Sequence, residues 1–106
     1  MNNRSTFAGI EIFQPQPGTL YNLETTAQLA GVSRRSLLLY CRSGIIRPEL
    51  QEPFGALFFN ESSIRSVRRV EYLRTIHGIN LTGARMILDL LEEVERLRNE
   101  VRFYHG

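Results

Sequence analysis

The chain has 106 residues, 42% of them apolar, which is enough for one modest core and too few for two independent ones. Its formal net charge is only +2, yet all thirteen basic residues are arginine and none is lysine. A single cysteine, Cys41, excludes an internal disulfide and points to a reducing, cytoplasmic setting, while no apolar run reaches membrane-spanning length and the opening MNNRSTFAGIEIF lacks the apolar core of a secretion signal.

Charge is unevenly distributed. Residues 34 to 85 hold nine arginines against four acids, whereas residues 86 to 106 hold three against five. A basic first part suits nucleic acid and an acidic tail suits a basic partner, although solvated surfaces account for both equally well.

Residues 1 to 20 are rich in polar and turn-forming types, with Pro15, Pro17 and Gly18 punctuating a short apolar stretch from Phe7 to Phe13. They are expected to form a flexible N-terminal arm with one edge strand, ahead of a single domain over residues 21 to 106. Asn22 can cap a first helix whose buried face holds Leu23, Ala27, Leu29 and Ala30, and Gly31 ends it. Ser33 can cap a second helix carrying Leu37, Leu38, Leu39 and Tyr40, which Gly44 and Pro48 stop. Two short helices joined by Gly31-Val32-Ser33 make a helix-turn-helix, and the second opens with Arg34 and Arg35 at the end that such motifs present to DNA.

Residues 48 to 59, PELQEPFGALFF, read as a loop and a short strand, the place of a β wing. Whether Phe54, Phe58 and Phe59 belong to the core or to a partner surface stays open. Asn60 then caps an amphipathic helix with Ile64, Val67, Val70 and Leu73 on one side and Arg65, Arg68 and Arg69 on the other. Gly78 breaks the chain and Asn80 caps a last helix with apolar residues at Ile87, Leu90, Val94, Leu97, Val101 and Tyr104. Spacings of three and four make this a heptad seam, either against the rest of the domain or against a second copy, where Glu93 could meet Arg98 of the partner. The expected class is therefore mostly α: a winged helix-turn-helix, then two longer helices.

The order Tyr21, Ala27, Leu29, Gly31-Val32-Ser33, Leu37, Tyr40, Gly44-Ile45-Ile46 and Pro48, extended by Gly55, Phe59, Ile64 and Gly78-Ile79-Asn80-Leu81, resembles the MerR-type helix-turn-helix over roughly residues 21 to 90. That family usually has an arginine and a tyrosine where this chain has Leu38 and Leu39, and an arginine where it has Leu57. Leucine grips no phosphate, so three polar contacts to DNA are missing from the pattern.

Within this superfamily the chain resembles the chaperone-modulator CbpM family, through Phe58-Phe59-Asn60-Glu61, Ile64, Gly78-Ile79-Asn80-Leu81, Gly83, Ile87-Leu88 and Glu95-Arg96-Leu97. The resemblance implies a non-enzymatic adaptor that binds the J-domain of a DnaJ-like co-chaperone and blocks its encounter with Hsp70. A J-domain presents a basic helix, and Asp89, Glu92, Glu93 and Glu95 are the acids that complementary charge would assign to it; a solvated face with Glu92 paired to Arg96 is the alternative. The other reading is a small MerR-like transcriptional regulator whose nucleic-acid contacts would be Arg34, Arg35, Arg42, Arg65, Arg68 and Arg69, working as a homodimer.

No catalytic or metal site is expected. Cys41 sits among Leu37, Leu38 and Tyr40 with no activating neighbour, His77 lies at a helix end and His105 in the tail, so they form no ligand set. No phosphate-cradling loop or Ser-His-Asp order can be assembled either, and no cofactor is implied.

Overall fold

Each of the four α-helices among the described residues opens on a cap that the sequence supplies. The structure is a computed structural model describing the backbone of residues 4–7 and 10–105 and the side chains of residues 14–104. Helix α1 (Leu23–Ala30) follows Asn22, whose Oδ1 accepts the Thr25 N–H at 2.8 Å, and α2 (Arg34–Arg42) follows Ser33, whose Oγ accepts the Ser36 N–H at 3.0 Å. Before α3 (Glu61–Thr75), Asn60 Oδ1 takes the Ser63 N–H at 3.1 Å; before α4 (Leu81–His105), Asn80 Oδ1 takes the Gly83 N–H at 2.8 Å. Each side chain satisfies a donor that has no partner inside its helix.

Gly31 ends α1 with φ +73°, and its N–H is donated back to the carbonyls of Ala27 and Gln28. Glycine takes this left-handed conformation without a Cβ clash. The turn sends α2 off on a new course, as the helix-turn-helix pattern requires.

The strands before α1 are Arg4–Phe7 (β1), Ile10–Phe13 (β2) and Tyr21–Asn22 (β3), and those of the wing are Leu50–Gln51 (β4) and Leu57–Phe59 (β5). In the three-stranded antiparallel sheet the order is β3-β5-β4, with Tyr21 opposite Phe59 and Leu50 opposite Phe58. The expected wing is present, and β3 joins it to the start of α1. Two residues carry no alternation that a sequence could reveal, so β3 is visible only through its partner.

At the N-terminus, where one edge strand was expected, β1 and β2 pair antiparallel, with Arg4 opposite Phe13 and Phe7 opposite Ile10. Pairing satisfies the main-chain donors and acceptors that a lone strand leaves open. The remainder of that expected arm at residues 1–3 and 8–9 lies outside the described residues.

The chain divides into two compact units, Met1–Arg68 and Arg69–Gly106, with the boundary inside α3. In the first, Thr26, Ala27, Ala30, Leu37, Tyr40, Ile46, Phe59, Ile64 and Val67 are buried and form the core. In the second, Val70, Ala84 and Leu88 are buried. A Cβ on Gly83 would come within 2.9 Å of Ile79 Cγ2, so the first turn of α4 admits no larger residue there without displacing Ile79.

Candidate nucleic-acid interface

Helix α2 sorts its residues by angle. Leu37 and Tyr40 are fully buried, Ser36, Leu39 and Cys41 half-buried, and Arg34, Arg35, Leu38 and Arg42 exposed. Spacings of one, three and four residues put those last four on one side of the helix. The outer face is thus three arginines around one leucine, and among the described residues none of the three arginines has an ion-pair partner. Of the three leucines that replace polar residues of the family pattern, Leu39 and Leu57 are half-buried and only Leu38 is displayed.

The wing turn borders this face. An open cleft is lined by Asn22 and Glu24 at the start of α1, Arg34 at the start of α2, and Gly55, Ala56 and Leu57 of the wing. The three wing phenylalanines part company: Phe59 is buried, Phe58 half-buried, and Phe54 wholly exposed at the tip. The triplet Pro53-Phe54-Gly55 carries a turn signal in sequence, but nothing in it tells which way the ring points.

The arginines of α3 are occupied. Arg65 Nε lies 3.2 Å from Glu61 Oε1, and Arg69 Nη2 lies 3.4 Å from Glu95 Oε1. Arg68, which the helical pattern puts on the outer face, is instead half-buried and donates from Nε and Nη2 to the Leu29 carbonyl at 3.1 and 2.7 Å. Its long stem lets the guanidinium reach back to a carbonyl that the end of α1 leaves open. Among the described residues, the arginines with neither an ion-pair nor a hydrogen-bond partner in this region therefore lie on α2 and not on α3.

On α4 the four acids do not act together. Glu95 is held by Arg69, and Glu93 accepts from Arg96 Nε at 3.1 Å and from its Nη2, while Arg96 Nη1 reaches Glu100 at 2.6 Å. Arg96 is thus paired with Glu93 and Glu100, not with Glu92 as the four-residue spacing suggested. The guanidinium hydrogen bond holds the Glu93 carboxyl below its usual range, and the same pair raises Arg96. Asp89 and Glu92 are exposed with no partner among the described residues.

The seam of α4 is open to solvent. Ile87 is half-buried, but Leu90, Val94, Leu97, Val101 and Tyr104 are all exposed, Leu90 at 64% and Val101 at 57%. Cys41 is half-buried, and burial pushes its thiol up, away from the reactive thiolate. His77 stacks edge-on against Tyr72 with ring centroids 5.1 Å apart; the His105 side chain lies outside the described residues. Among the described residues no group of His, Cys, Asp or Glu could hold a metal, and no helix is long and apolar enough to cross a membrane.

Residues 21–104 match the family described as MerR HTH family regulatory protein. The chain belongs to the MerR HTH family. The match takes in both helices of the motif, the wing, α3 and nearly all of α4, so in MerR terms α2 is the recognition-like helix and residues 48–59 are the wing. The chain is also similar to the putative heat shock protein HspR of Streptomyces coelicolor, 30% identical over 79 residues that cover 74% of this chain and 52% of the relative. The chain spans about half the length of that relative. The family match places it in the MerR HTH family at large, without distinguishing the chaperone-modulator branch.

Proposed function

We propose that the chain is a DNA-binding MerR-type regulator that sets the outer face of α2 in the major groove and pairs with a second copy along α4. The observation that carries this reading is the Arg34-Arg35-Arg42 face of α2, which has no ion-pair partner among the described residues and is bordered by the wing. Free guanidiniums release counterions from DNA and form forked contacts to phosphate or guanine. Leu38 in their midst offers no phosphate contact but is suited to a thymine methyl. The exposed apolar stripe of α4 supplies the means of pairing two such faces, which a two-fold DNA site would need about 34 Å apart.

The test is a fluorescence-anisotropy titration of the purified chain against duplexes selected from a randomised pool, repeated at several salt concentrations. Binding is expected to weaken steeply with salt, by a logarithmic slope of about −0.9 for each phosphate neutralised. Replacing Arg34, Arg35 and Arg42 together by alanine should remove most of that slope. A chain that selects no duplex, or binds DNA with no salt dependence, defeats the reading.

A second reading is an adaptor similar to CbpM that binds the J-domain of a DnaJ-like co-chaperone and hinders its work with Hsp70. What favours it is exposed apolar surface at Leu38 and Phe54, together with the carboxylates of Asp89 and Glu92, which have no partner among the described residues. It ranks second because Glu93 and Glu95 already have arginine partners in the same chain. Titration against a J-domain, in the same buffer, separates the two: tight binding there with none to DNA reverses the order. Neither reading calls for a cofactor.

A further inference from the structure

The wing turn holds an aromatic residue where a glycine belongs. Gly55 N–H donates to the Glu52 carbonyl at 3.3 Å and Glu52 N–H to the Ala56 carbonyl at 2.8 Å, closing a turn with Pro53 second and Phe54 third. Phe54 has φ +71° and ψ +15°, and it is the one non-glycine residue with positive φ among the described residues. A turn with this third position ordinarily places glycine or asparagine there. The next residue is Gly55, also at positive φ, so the sequence has a glycine to hand and still sets the ring at the strained place.

Folding gains nothing from that ring, since its relative exposure is 108%. A strained backbone carrying a large, wholly solvated aromatic is stabilised by no contact within the chain, so the contact that uses it lies outside.

The surroundings indicate which contact. The wing, PELQEPFGALFF, has no basic residue and carries Glu49 and Glu52, so it offers phosphate no cationic side chain. Gly55 and Ala56, which follow the ring, line the same cleft as Arg34 at the start of the basic α2 face. If α2 occupies a groove through its arginines, the ring is carried to the flanking stretch of the same duplex, where the π-faces that suit an aromatic tip are those of the bases. We infer that Phe54 is a wedge that enters a base step beside the α2 contact and partly unstacks it. This rests on the DNA-binding reading above. A ring entering between bases favours flexible pyrimidine–purine steps, so the wing selects DNA by deformability.

The experiment uses the full chain and a duplex selected by it from a randomised pool, with 2-aminopurine placed in turn at each flanking step. The native chain should raise 2-aminopurine fluorescence at one step on each side of the site. Phe54→Gly should abolish that rise and weaken binding about tenfold. Its melting temperature should stay level or rise, because glycine adopts the positive φ freely. Phe54→Leu, which keeps apolar bulk without the ring, should retain part of the affinity and less of the fluorescence change. An unchanged affinity and fluorescence for Phe54→Gly overturns the wedge while leaving DNA binding intact. A loss of affinity accompanied by a fall in melting temperature makes the ring structural and overturns it as well. If the native chain selects no duplex and Phe54→Gly instead weakens J-domain binding, the regulator reading fails, and the wedge fails with it.

Discussion

Arg68 donates from both Nε and Nη2 to the carbonyl oxygen of Leu29, thirty-nine residues earlier in the chain. The guanidinium closes the C-terminal end of α1 from outside the helix, and ties α3 to the helix-turn-helix. Replacing Arg68 by methionine keeps the stem and removes both donors, leaving a half-buried carbonyl unmet. The expected loss is about 1–3 kcal/mol in a urea unfolding titration. Lysine, with a single charged donor group, should recover part of it.

On α2 the prediction concerns charge. Arg34→Ala, Arg35→Ala and Arg42→Ala should each lower duplex affinity and, where the lost contact is to phosphate, reduce the salt slope by about 1. Arg65→Ala should change neither, because that guanidinium is already paired with Glu61 on an exposed helix face. Anisotropy titrations at three salt concentrations distinguish the two groups.

At Gly31 the backbone alone matters, since nothing lies within 4 Å of where a Cβ would stand. Gly31→Ala should therefore destabilise the fold by about 1 kcal/mol through its left-handed φ. Gly31→Asn should lose less, asparagine being the residue that best tolerates this conformation after glycine. Thermal unfolding followed by circular dichroism measures both.

The exposed stripe of α4 predicts an oligomeric state. Light scattering behind a sizing column should show a dimer for the native chain and a monomer for Leu90→Glu/Leu97→Glu, at unchanged helical content in the first unit. Duplex affinity should fall with the dimer, because each copy offers one α2. A native chain that remains a monomer at high micromolar concentration removes the stripe from the mechanism.

Glu93 supplies a pH dependence whose sign follows from its partner. Its carboxyl lies below the usual range in the folded chain because Arg96 donates to it, so the stabilisation is present above the ordinary glutamate range and is lost as pH falls through the lowered value. Both groups are fully exposed, so the effect is confined to the winding of α4 and is screened by salt. A carbon-detected titration should place the Glu93 midpoint below the ordinary range, and Arg96→Gln should return it there.

Much of the fold can be read from one sequence because its signals are local. Asn22, Ser33, Asn60 and Asn80 each cap the helix that follows, Gly31 ends α1, and Ile64, Val67 and Val70 fall on one side of α3, since capping and helical periodicity act over a few residues. The candidate interface was only partly legible. Arg34, Arg35 and Arg42 stand out by position, but the same pattern put Arg68 beside Arg65 and Arg69, and it could not show that Arg68 turns inward to Leu29. The four acids of α4 looked like one cluster because sequence gives no account of which arginine each one meets.

The amino-acid sequence by itself determined where each helix begins, which face of each is apolar, and membership of the MerR pattern, because caps, glycine turns and three-four spacing depend on neighbours along the chain. Only the tertiary structure decided which charges remain free and which apolar groups remain exposed. Arg68 is engaged by a carbonyl in another helix, Arg69 by a carboxylate twenty-six residues away, and Phe54 is strained and bare where Phe59 is buried. These outcomes depend on what distant segments bring alongside each side chain, and local composition does not encode that.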